Sequence, residues 1–114
     1  MLSAGQRLRR AEEFRLTMRQ GAKAGTRTAV VYLVRTGDAN SMAGFAVSRA
    51  VGGAVVRNRV TRRFRAIMSG ELTRLPQGTK VVVRALPDAA SASFDELRSD
   101  VSNAVGRALT KAAV

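Results

Sequence analysis

The chain is 114 residues long and 46% hydrophobic, with 20 Lys+Arg against 8 Asp+Glu, a formal charge of +12, and neither His nor Cys. This length suits one domain with a modest core, and no apolar run approaches the roughly 20 residues that span a bilayer. Without His or Cys the chain lacks the commonest general base, the commonest metal ligands, the thiol nucleophile and any disulfide, so a cytoplasmic, non-catalytic, non-membrane domain is expected.

Residues 1–10, "MLSAGQRLRR", read as a basic arm carrying Arg7, Arg9 and Arg10 with little to bury. They have no apolar segment of the kind a secretory signal needs. "AEEFRLTMRQG" predicts a helix of about ten residues, with Ala11, Phe14 and Met18 as its apolar stripe. Glu12 and Glu13 fall in its first turn, where the helix dipole favours acids, and Gly21 stops it. "TAVVYLVRTG" and "MAGFAVS" predict two strands joined at "TGDANS" as an antiparallel hairpin, and a further short strand is possible around Lys23 to Arg27.

After Gly52 and Gly53, "AVVRNRVTRRFRAIMSGEL" predicts a long helix with Val56, Val60, Phe64 and Ile67 in one arc. Arg59, Arg62 and Arg63 stand at i, i+3 and i+4 on the other side. "TKVVVRAL" is apolar enough to predict a central strand, and Pro87 ends it. Ser93 to Glu96 forms a capping box opening a last helix whose buried stripe is Leu97, Val101, Ala104, Val105 and Ala108. The expected fold is α+β, a single-domain α/β sandwich over residues 1–114 in the order α-β-β-α-β-α, with the extra strand following the first helix. No repeat or linker divides it.

Charge points to the partner class. Seventeen of the 20 cations are arginine, whose planar fork grips phosphate bidentately and stacks on bases. From Arg49 to Arg65 there are six arginines and no acid, whereas a merely solvated helix face mixes signs to relieve i,i+4 repulsion. A phosphate-tracking surface is the better reading of that run. Asn58 fits either an RNA contact or a local backbone contact. Phe14 and Met18 read as helix-on-sheet packing, or, with Tyr32, as platforms for unpaired bases. The eight acids form no metal-binding or acid/base constellation.

"GFAVSRAVGGAVVRNRVTRRFRAIM", Gly44 to Met68, closely resembles the signature of the bacterial ribonuclease P protein component, roughly G-x-x-V-S-[KR]-K-x-G-N-A-V-x-R-N-R-x-K-R-x-x-R. "RLRRAEEF", "VVVRALP" and the capped last helix fall in register with it. The resemblance implies a sandwich whose βαβ unit crosses over left-handed. It also implies a partnership with one catalytic RNA subunit that removes 5′ leaders from precursor tRNA. Chemistry and Mg²⁺ binding would belong mainly to the RNA, with no metal held firmly by the protein and no obligate protein partner.

By motif match, Arg49, Arg57, Asn58, Arg59, Arg62, Arg63 and Arg65 would contact the RNA subunit. Phe14, Met18, Tyr32, Val47, Ser48 and Arg84 would line the leader-binding cleft. The chain departs from the pattern at Gly53, where the family has Asn, and at Ala50, where it has Lys. It departs again at Met18, often aromatic, and at Leu86, where Arg84 stands in for the usual Arg. A ribosomal-type RNA-binding protein without an enzymatic role fits the charge and size but not the motif.

Overall fold

The computed structural model describes residues 2–112; Met1 of the predicted arm and Ala113 and Val114 of the predicted domain lie outside the described residues. Three α-helices, α1 (Ala11–Gln20), α2 (Ala54–Leu72) and α3 (Phe94–Ala112), alternate with four strands. These are β1 (Ala22–Gly25), β2 (Ala29–Arg35), β3 (Met42–Ala46) and β4 (Thr79–Ala85), with short 3-10 turns at Ala4–Gln6 and Pro87–Ala90.

The sheet order is β1-β2-β4-β3. β4 pairs antiparallel with β2 and parallel with β3, so it is central as its unbroken "VVV" requires: Val81, Val82 and Val83 are all fully buried. This overturns the predicted hairpin. β2 and β3 are not neighbours, because β4 enters between them, and the hairpin is instead the short β1 with β2, Ala22 opposite Leu33. A strand apolar on both faces is buried inside a sheet covered on both faces, and β2 and β3 pair along the two edges of β4 there. The connection from β3 through α2 to β4 is therefore a parallel βαβ crossover.

Alternation along the strands divides the core in two. Val31, Leu33, Val81, Val83 and Ala85 face α2 and α3, where Val60, Phe64, Met68, Leu97, Val101 and Val105 close the main core. Phe45 stacks on Phe64, with ring centroids 6.3 Å apart. On the opposite face Val30, Tyr32 and Val82 form a smaller core with Leu8, under Phe14 and Met18 of α1. The predicted α3 stripe is buried in full. Its capping box is made: the Ser93 N–H donates to the Glu96 carboxylate at 2.8 Å, and the Glu96 N–H donates to the Ser93 hydroxyl at 3.1 Å. In α1, Ala11 is exposed and Thr17 is buried in its stead.

The N-terminal segment differs from expectation. Leu2 and Leu8 are buried, one in each core, and the Leu8 N–H donates to the Ala43 carbonyl at 2.9 Å, beside an Arg7–Ala43 bridge along β3. Two isolated leucines among arginines give no periodic signal, yet they tie the arm down. At the other end of the sheet, Arg107 donates to the Gly25 carbonyl at 2.6 Å and Lys111 to the Lys23 carbonyl at 2.7 Å. Gly78 has φ +80° and its carbonyl accepts from the Thr36 N–H at 2.7 Å, joining the turn before β4 to the end of β2.

Candidate nucleic-acid interface

α2 is amphipathic because its apolar residues recur every three or four positions: Val60, Phe64, Ile67, Met68 and Leu72 are buried. Gly53 precedes it in extended conformation, its carbonyl accepting from the Arg57 N–H at 2.9 Å, and no acid lies in its first turn. The remaining surface divides three ways. Asn58 and Arg62 form the exposed crest. Arg57, Thr61 and Arg65, spaced i, i+4, i+8, form one half-buried flank. Arg59 and Arg63 form the other.

The structure therefore separates arginines that the helical spacing grouped. Arg59 Nη2 donates to the Ala90 carbonyl at 2.9 Å, and Arg63 Nη1 donates to the Ala92 carbonyl at 3.1 Å. Both are engaged with the segment leading into α3, while Arg62 projects away. Asn58 is exposed alongside Val55, Thr61, Arg62 and Arg65, which share a shallow depression with it. Arg49 is exposed in the turn before α2.

The Arg57–Arg65 flank faces the N-terminal segment across a cleft of about 240 Å³, lined by Arg7, Leu8, Arg9, Phe14, Gly44, Thr61 and Arg65 among others. Arg7 and Arg9 are the residues that sequence reasoning left in the arm. Three residues are too short a run to signal a strand; it is the pairing of this segment along β3, which turns Leu8 into the core, that brings both arginines to this cleft. The Nε atoms of Arg7 and Arg57 are buried without a hydrogen-bond partner among the described residues.

The distribution of acids sharpens the picture. Glu71 pairs with Arg74, Asp95 with Arg98, Asp88 and Glu96 with Arg27, and Glu13 and Asp38 with Lys80. Asp100 accepts from the Thr28 hydroxyl at 2.7 Å. Among the described residues no acid pairs with Arg7, Arg9, Arg10, Arg49, Arg57, Arg59, Arg62, Arg63 or Arg65. The cationic surface thus runs uncompensated from the N-terminal segment over α2. Nor do three or more acids gather as a metal site among the described residues.

Of the residues predicted for a strand-binding cleft, four share the α1 side of the sheet. Phe14 and Met18 lie half-buried over Tyr32, which is only 5% exposed, and Arg84 donates to the Tyr32 hydroxyl at 3.3 Å. Lys23 Nζ stands 5.8 Å from the Tyr32 ring centroid. Val47 is turned the other way and packs on the main core, and Ser48 is exposed beyond the end of β3, accepting from the Ala50 N–H. The structure does not bring those two together with Tyr32. At the opposite end of this face Lys80 bridges Glu13 at 3.0 Å and Asp38 at 3.1 Å. The hydrogen bonds that it donates to Glu13 first, then to Asp38, hold its ammonium above the usual lysine range.

Comparison with known proteins agrees with this architecture. The family described as Ribonuclease P matches residues 2–109. A ribonuclease P protein component from Beutenbergia cavernae is 51% identical over 107 residues, covering 92% of this chain and 89% of its own. One from Acidothermus cellulolyticus is 46% identical over 110 residues, covering 94% and 91%. Among solved structures, the RNase P protein from Thermotoga maritima superposes with a TM-score of 0.78 at 27% identity, covering 89% of this chain and 96% of its own. The Staphylococcus aureus protein shares the fold, with a TM-score of 0.81 at 19% identity and coverage of 91% and 97%.

Proposed function

The chain belongs to the ribonuclease P protein family, and from that premise we propose that it binds the catalytic RNA subunit and the 5′ leader of precursor tRNA, assisting removal of the leader. The observation that carries the proposal is the uncompensated arginine surface joining the N-terminal segment to α2. Each phosphate it neutralises releases counterions, which makes binding favourable and salt-dependent. Low charge in the partner would waste this arrangement; a folded RNA meets it at many points.

The protein's own groups do not supply the reaction. Six of its eight acids are held in ion pairs and, among the described residues, no three gather as a metal site; in this reading the Mg²⁺ belongs to the RNA, and the protein's part is to bind and orient. Arg57, Asn58, Arg62 and Arg65, with Arg49, face the RNA subunit. The sheet face around Phe14, Met18 and Arg84 takes the single-stranded leader, whose bases stack on aromatic and thioether surface without sequence readout. The site of action is the cytoplasm.

Reconstitution with the cognate catalytic RNA tests this. The protein alone should cleave nothing, and adding it should restore leader removal at low Mg²⁺, where the RNA alone is slow. Phe14→Ala should weaken binding of leader-bearing substrate more than of mature tRNA. Absence of stimulation, together with tight binding to ribosomal RNA, would sink the proposal.

A further inference from the structure

We infer that Arg59 and Arg63 are positioning residues, which hold the start of α3 against α2 and so fix the phosphate-contacting face, rather than contacting RNA themselves. The inference rests on the RNA-subunit reading above and divides its arginines into two groups by what their guanidinium groups already do.

Arg59 and Arg63 are one helical turn apart, so their side chains lie on the same flank of α2. Both reach the segment between β4 and α3. Arg59 takes the carbonyl of Ala90, the last residue of the Pro87–Ala90 turn, where a carbonyl lacks a partner within the turn. Arg63 takes the carbonyl of Ala92, a buried residue one position before the Ser93 cap of α3. The Nε of Arg59 is buried as well, without a hydrogen-bond partner of its own among the described residues, so its guanidinium is held through Nη2. From the β1–β2 turn, Arg27 reaches Asp88 at 3.7 Å and Glu96 at 3.1 Å. Residues 88–96 are thus held by three arginines from two elements.

The remaining arginines stand differently. Arg62 is exposed and shares its depression with Asn58, and Arg65 lies in both the crest depression and the N-terminal cleft. Among the described residues neither Arg62 nor Arg65 makes a hydrogen bond to a carbonyl like those of Arg59 and Arg63. Engaging Arg59 and Arg63 with carbonyl dipoles also relieves the repulsion that three neighbouring arginines would otherwise exert. Arg62 is then left as the free cation of the trio.

The two roles leave different marks on the salt dependence of assembly. Removing a phosphate contact lowers the slope of log K against log salt by about 0.7–0.9. Removing a brace weakens binding alike at every salt concentration. Binding of the protein to its catalytic RNA, measured across a salt series, and the Tm of the free protein should therefore be read for four variants. Arg62→Ala should lose slope and keep its Tm. Arg59→Ala and Arg63→Ala should keep the wild-type slope, weaken binding several-fold at all salts and lower Tm by roughly 5 °C, the loss of one charge-assisted hydrogen bond in a domain of this size.

Arg59→Gln guards against a variant too unstable to assay. It removes the charge but retains a donor, and a brace should recover part of the Tm with the slope unchanged. A slope lowered in Arg59→Gln or Arg63→Ala as in Arg62→Ala, or a Tm untouched by either alanine change, overturns the inference. If the wild-type protein showed no salt-dependent affinity for the catalytic RNA, the RNA-subunit reading would fail instead, while the Tm values would still report the brace.

Discussion

At Gly44 the smallest side chain is required by a neighbour in space, not by its backbone. A Cβ there would fall 2.4 Å from Phe14 Cζ and 3.0 Å from Leu8 Cβ, so the first glycine of the signature is the seat of the α1 aromatic ring. Gly44→Ala should displace that ring and cost about 1–3 kcal/mol, as overpacking does, visible as a lower Tm with α1 loosened in hydrogen exchange. An unchanged Tm would show that the ring swings aside freely. The sequence displayed both partners but not their meeting, since residues 14 and 44 are linked only through the fold. Tyr32 teaches the same lesson: its residue type suits a wet stacking platform or a core, and only the structure shows it buried beneath Phe14 and Met18 with Arg84 on its hydroxyl.

Among the elements, helices were legible because their signals are local. The Ser93–Glu96 box and the Leu97–Ala108 stripe of α3 fall where the sequence puts them. The long apolar face of α2 does too, apart from Val56, which is only partly buried. Strand pairing was not legible, because nothing within β2, the turn and β3 records that β4, more than thirty residues onward, will insert between them. α1 has too short an apolar stripe to dock by itself, and its attachment draws on Lys80, which clasps Glu13 on α1 and Asp38 in the β2–β3 turn. A lysine whose pKa is raised on folding stabilises fully below its unfolded value near 10.5, and that contribution is lost as pH climbs through the raised value. Lys80→Met should therefore be less stable than wild type at neutral pH, and the gap in Tm should close in strongly alkaline solution. A gap that stayed constant throughout would show that the ion pairs do not fasten α1.

At the scale of the whole molecule, charge is segregated: six of the eight acids are held in ion pairs elsewhere, and among the described residues the arginines of the N-terminal segment and α2 have no acid partner. Composition made the excess of cations legible, but not the route by which Arg7 and Arg9 join Arg65, because that depends on Leu8 lying along β3. The N-terminal segment thereby occupies one rim of the sheet, and Arg107 and Lys111 occupy the acceptors of the other. With both rims covered, the sheet offers no ready template on which a second chain can add a strand, the usual beginning of aggregation in small mixed sheets. Arg107→Ala with Lys111→Ala should uncover the β1 rim and shift the free protein to larger species in sedimentation as its concentration rises, with identical profiles counting against it. The long cationic side chains of α3 thus keep this sheet to itself.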